Sequence, residues 1–120
     1  MDPTNKHSTA GDPVMNEVAL HGRLAAEPEE RELPSGDVIW TFRVIVERPP
    51  GGRSRQRVDS LECVAWLSRV RRSVATWRVG DQVAVEGALR RRFFRSGAAT
   101  ASRVEVEVTS ARIIRRAVTS

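Results

Sequence analysis

Lysine occurs once in this chain, at Lys6, cysteine once, at Cys63, and histidine twice, at His7 and His21. Each scarcity excludes something. A lone thiol closes no disulfide within the chain, so Cys63, set among strand-like residues, is expected to be buried and inert, with a bridge between symmetric subunits as the alternative. The histidines stand at no zinc-like spacing from Cys63. No glycine-rich phosphate loop and no local nucleophile motif occurs, so neither a metal nor a cofactor is implied. No apolar run approaches the roughly 20 residues of a membrane span. The N-terminus lacks the apolar core of a signal peptide, and the expectation is a cytoplasmic protein with no membrane partner.

What the chain has instead is arginine: nineteen of its twenty basic residues. Arginine grips phosphate bidentately and stacks on flat groups, which lysine cannot do. The charge is unevenly placed. Before Leu33 the chain holds three basic and seven acidic residues; from Leu33 onward it holds 17 and 8, a net of +9. Such a field points to a polyanionic partner. At 120 residues, 40% of them apolar, with no internal repeat, the chain suits one domain with a real core.

The stretch from Gly80 to Gly97 organises the rest. After the turn pair Gly80-Asp81 it alternates as a strand, Val83, Val85 and Leu89 against Ala84, Glu86 and Ala88. It ends in Arg90, Arg91, Arg92, Phe93, Phe94 and Arg95, just before a Ser96-Gly97 turn. Adjacent rings with a cationic rim near a hairpin tip describe a surface for unpaired nucleotides. The alternative is that one ring packs inward while the arginines solvate the tip.

Residues 1–14 are polar and aperiodic, an arm expected to be disordered, and Met15 offers a second candidate start. Asn16 to Leu24 alternates as the first strand, with Gly22 marking a bend or bulge. Glu27 to Glu32 reads as a loop or an edge strand, and Leu33 to Asp37 as a turn. Val38 to Glu47 is the longest β-rich run. Trp40, Phe42, Val44 and Val46 share one face; Ile39, Thr41, Arg43 and Ile45 share the other. Both faces are partly apolar, so one is expected against the core and one under a partner or second subunit. The loop that follows carries Arg48, Arg53, Arg55 and Arg57, either a solubilising tip or a phosphate clamp. Asp59 to Trp66 is a third strand, with Trp66 opposite Cys63. Val70, Val74 and Trp77 stand at helical spacing within Leu67 to Val79, which places Trp77 in the core. Ser102 to Ile114 is the last strand, and 117–120 form a short tail. Five strands with one helix between the third and fourth fit an all-β OB-fold, a five-stranded Greek-key barrel.

At this point a family resemblance enters. Asn16 to Leu24, Ser35-Gly36, the Phe42 strand, Cys63-Val64-Ala65-Trp66, Gly80-Asp81-Gln82-Val83, Val85 to Leu89 and Val104-Glu105-Val106 occur in the order of the bacterial single-stranded DNA-binding proteins. The resemblance covers 15–114. It implies an OB-fold domain over 15–116, a homotetramer, and sequence-tolerant binding of single-stranded DNA in replication, recombination, repair or DNA uptake, in the cytoplasm at the nucleoid. Stacking combined with electrostatic tracking comes with the family, which is the standard example of it. The family's rings fall on Trp66 and Phe94. Two others fall near Ser60 and Pro49, which carry none. Trp40 lies near a family ring position and either stacks or packs a subunit interface. The family's long tail with an acidic tip has no counterpart here, so the chain resembles a short paralogue that is not expected to recruit repair enzymes through a tail.

The nucleic-acid-binding set expected on these grounds is Trp40, Trp66, Phe93 and Phe94 as rings, with Arg43, Arg53, Arg55, Arg57, Arg90, Arg91, Arg92 and Arg95 along the phosphates. Two other classes stay open. One is an OB-fold adaptor of a primosome-like assembly, docking proteins through its sheet. The other is an enzyme such as a small nuclease holding a metal with Asp59, Glu62 and Glu86, although their spacing matches no ligand motif and a non-enzymatic reading is preferred.

Overall fold

A computed structural model describes residues 11–118. The arm expected over 1–14 and the tail expected over 117–120 lie mostly, and in part, outside the described residues. In chain order the elements are β1 (Val18–Leu24), β2 (Glu29–Glu32), β3 (Val38–Glu47), β4 (Val58–Ala65), α1 (Ser68–Val74), β5 (Gln82–Ser96) and β6 (Ala99–Arg115). The sheet runs β1-β5-β6-β4-β3-β2, and a second pairing of β1 with β3 closes it. All pairings are antiparallel except β4 with β6. Five strands therefore form the closed barrel of an OB-fold, with the short helix before β5, and β2 is an edge strand laid on β3. The acidic segment is thus resolved as strand rather than loop.

Closure depends on two close backbone approaches. A side chain at Gly22 would place its Cβ 2.3 Å from the Ile45 carbonyl oxygen, where β1 leaves β5 for β3. A Cβ at Gly87 would lie 2.0 Å from the Glu107 oxygen. Only glycine admits backbones that near. Gly22 accordingly marks a crossing; the irregularities of register sit elsewhere, in the β5–β6 ladder at Gln82/Val83 and at Glu86/Gly87.

The second of those shifts decides what β6 buries. Gly87 opposes Val108 while Glu86 opposes Ser110, so Thr109 is an extra residue. Before it, Val106 and Val108 face the core; after it, Ala111 and Ile113 do. A strand without the bulge would turn its second half inside out.

The core joins Leu24, Phe42, Val44, Cys63, Ala65, Val83, Val85, Val106 and Val108 with Val70, Val74 and Trp77 of the helical segment. The helix is seven residues long, shorter than the expected Leu67 to Val79, and Trp77 follows it in a turn, its N–H donating to the Val74 carbonyl at 3.0 Å. Trp77 is 2% exposed and meets Phe42 edge-on, centroids 5.3 Å apart. Several arginines hold this end together rather than facing a partner. Arg71 donates to the Val38 carbonyl, Arg69 to that of Thr109, and Arg116 to that of Thr76. Cys63 is buried in the core, where desolvation first, and then the charges of Glu62 and Glu105, push its thiol up to about 12. A bridge between subunits through Cys63 has no surface to form on.

Asp81, 1% exposed, joins the start of β5 to the end of β6. Its carboxylate accepts from the Arg78 N–H at 2.8 Å, the Ala117 N–H at 2.7 Å and the Arg116 guanidinium at 3.1 Å. Burial alone would raise this carboxyl, but those donors outweigh it and hold the group below its ordinary 3.8. A carboxyl lowered on folding stabilises the fold above its unfolded value and loses that contribution as pH falls through the folded one. Asp81→Asn is expected to cost about 2 kcal/mol at neutral pH. The Tm gap to the parent should close as melts are taken from about pH 5 down to about pH 2. A gap that stays constant would show that Asp81 does not act as a charged anchor.

Candidate nucleic-acid interface

β5 and β6 run on past the barrel. β1 covers β5 only as far as Gly87, and beyond it the Asn16 side chain bonds both the N–H and the carbonyl of Leu89, each at 2.9 Å. From Arg90 to the turn, β5 and β6 pair only with each other among the described residues. Strand alternation then sends the two adjacent rings to opposite faces. Phe93, 70% exposed, shares its face with Leu89 and Arg91; Phe94, 44% exposed, shares the other with Arg92. Neither ring packs inward.

The Phe94 face continues onto the barrel as a groove of about 410 Å³, lined by Trp66, Phe94, Arg92, Arg103 and Glu105, with Ile39, Thr41 and Val64 on its floor. Trp66 directly follows β4 and Phe94 lies on the projecting β5–β6 arm, 28 residues apart in sequence. Two rings and three guanidiniums, the third from Arg31 of the edge strand, thus share one open, partly apolar channel. Arg92 lies over Trp66, 5.4 Å from the ring centroid, and Arg103 over Phe94, at 5.6 Å, both in cation–π range.

The expected site residues divide. Trp66, Phe94 and Arg92 meet in the groove. Trp40 does not: it sits on the Phe42 side of β3, packed against the core. The opposite, Ile39–Thr41 face of β3 floors the groove, which accounts for its apolar character without a second subunit. Arg43 is at the neighbouring end of that face, paired to Glu62 at 2.8 Å. Arg90 and Arg92 are paired across the ladder to Glu107 and Glu105, so the alternating acids of β6 neutralise part of the basic run. Arg91, on the Phe93 face and so turned away from the groove, donates to Ser102, and Arg95 has no carboxylate partner among the described residues.

In the loop between β3 and β4, Arg48 is bound bidentately by Asp59, whose hydrogen bonds raise the arginine and lower the acid. Arg53, Arg55 and Arg57 pair with no carboxylate among the described residues. They ring a larger hollow of about 840 Å³ that contains cations but no aromatic ring. Asp59 and Glu62 are thus each engaged by an arginine, and Glu86 is exposed on β5. Among the described residues no three metal-ligating side chains converge. Arg103 and Glu105 were not legible as site residues. They lie among alternating Val and Glu, and pairing across the ladder is what brings them to the rings.

Residues 15–115 match the model of the single-strand binding protein family. The chain belongs to that family. Among curated members it is 34% identical over 80 residues to single-stranded DNA-binding protein 3 of Listeria innocua, covering 66% of this chain and 50% of that one. It is 32% identical over 80 residues to single-stranded DNA-binding protein A of Bacillus subtilis, covering 66% and 46%. The chain spans about half the length of these relatives. Among solved structures, the Plasmodium falciparum SSB complex with ssDNA superposes with a TM-score of 0.71 at 21% identity, over 87% of this chain and 96% of that one. The likeness in structure is one of fold; the family membership rests on the sequence match.

Proposed function

We propose that this chain binds single-stranded DNA without reading its sequence, as a non-enzymatic member of its family. The observation that carries the reading is the groove itself: Trp66 and Phe94 open to one channel, with Arg92 and Arg103 beside them. Base stacking on such rings contributes about 1–3 kcal/mol per base and tolerates any base, since each has a π-face. Arg53, Arg55, Arg57, Arg91 and Arg95 supply cations that no carboxylate neutralises among the described residues, a path for the backbone beyond the groove. Self-association, as a tetramer in keeping with the family, is supported by exposed Leu89, Phe93 and Val104 on the arm and by the outer edge of β1. The protein would then coat DNA in replication, recombination, repair or uptake.

Titration with oligo-dT at several salt concentrations tests this. Each phosphate neutralised adds about −0.7 to the slope of log K against log salt, so several contacts give a steep dependence. Oligomers of different sequence should bind within a few-fold of one another, and a duplex of equal length far more weakly. Equal affinity for duplex and single strand would overturn the reading. Salt-independent capture of a protein, with no binding of oligo-dT, would favour the adaptor instead.

A further inference from the structure

One carboxylate holds both guanidiniums that cover the groove's rings. Glu105 is 7% exposed, nearly closed off at the base of the arm. Its Oε2 accepts from Arg92 Nε at 2.9 Å, and its Oε1 faces Arg103 Nε at 3.6 Å. Arg92 in turn lies over Trp66 and Arg103 over Phe94. There are other ion pairs, but among the described residues this carboxylate alone ties together two cations that each rest on a ring of the groove. The faces that bases would cover are therefore occupied in the free protein.

We propose that Glu105 is a positioning residue that parks Arg92 and Arg103 on the two stacking rings until single-stranded DNA exchanges with them, bases taking the rings and phosphates the guanidiniums. This rests on the groove being the DNA site. The exchange needs a ligand that presents a loose base and a phosphate together. An unpaired strand does so at every nucleotide. A duplex offers phosphates but keeps its bases stacked, so the rings stay covered and the groove contributes little. Glu105 thereby acts on the choice between paired and unpaired strands as well as on affinity. Its cost is that the bared carboxylate must take up a salt cation once its arginines have left.

Glu105→Gln keeps the shape and removes that cost. Its affinity for oligo-dT should rise by about tenfold, the size of one charge-assisted contact no longer broken. Its salt slope should steepen, because a cation is no longer taken up as the strand binds. Removing any nearby acid would strengthen binding somewhat, so the deciding readout is the Arg92 Nε–H resonance of the unmodified protein, assigned by its absence from Arg92→Gln. It should carry a ring-current shift in the free protein and lose it on saturation with oligo-dT. A resonance unmoved in the saturated complex overturns the exchange, whether or not the Glu105 variant folds. So does a Gln variant with unchanged affinity and slope. Failure of the unmodified protein to bind oligo-dT would instead overturn the DNA-site reading itself.

Discussion

Replacing Trp77 by alanine is expected to cost about 3–5 kcal/mol, the usual range for emptying an aromatic site in a packed core. Small domains have only about 5–15 kcal/mol of stability in total. The indole is 2% exposed, closes the gap between the helical turn and the barrel, and forms an edge-on contact with Phe42 at 5.3 Å. Collapse of α1 into the space is resisted by Arg71 on the Val38 carbonyl and Arg69 on that of Thr109. Thermal melts should show a Tm lower by about 10 °C or more. Affinity for oligo-dT, measured where the variant is still folded, should stay close to that of the parent, since Trp77 lies in the core and not along the groove. A Tm within about 2 °C of the parent would mean that the helical segment is not part of the core.

The converse result is expected from Trp66→Ala combined with Phe94→Ala. Two stacking platforms at about 1–3 kcal/mol each predict a loss of about 2–6 kcal/mol in binding, which is roughly 30-fold to 10⁴-fold. The salt slope should change little, because both substitutions leave every arginine in place. Phe94 is 44% exposed and Trp66 half-buried at a strand end, so the melt should move far less than for Trp77. The fluorescence change on adding oligo-dT should disappear with Trp66, since Trp40 and Trp77 both pack against the core. A double variant that binds as tightly as the parent would remove these rings from the site. A quench that persists would point to Trp40 instead.

The two tryptophans show which residues declared themselves. Trp77 falls in step with Val70 and Val74, and a repeat of that kind has one reading, a stripe against the core. Trp66 alternates out of phase with Cys63 and Ala65, so it faces away from whatever those small apolar residues face. Trp40 shares a period with Phe42, Val44 and Val46, but both faces of that strand are partly apolar, so the phase alone did not say which lay inward; its place near a family ring suggested stacking or a subunit interface, and the fold packs it on the core instead. Val38 to Glu47 was found with its full extent, because alternation over ten residues with no glycine or proline inside is hard to mistake. The acidic Glu29–Glu32 segment was ambiguous because an exposed edge strand needs no apolar face at all.

β6 resisted for a different reason. Its bulge at Thr109 changes which parity faces inward, and nothing local distinguishes Thr109 from its neighbours; the extra residue is set by the Gly87 approach on the partner strand. The cationic rim was equally beyond reach. In sequence, Arg90, Arg91, Arg92 and Arg95 look alike, but two face Glu107 and Glu105 across the ladder and two do not. Which arginines are free to meet phosphate depends on pairing between residues 13 to 17 positions apart.

From its residues alone this chain was bound to form a small β-barrel with one helix, rich in guanidinium on its second half, because periodicity and composition act locally and need no partner to be read. The grouping of Trp66 with Phe94, the enclosure of Glu105 between two arginines, and the withdrawal of Trp40 were decided by tertiary structure. Those outcomes depend on strand register and on where the barrel closes, which are fixed by contacts between segments far apart in the chain.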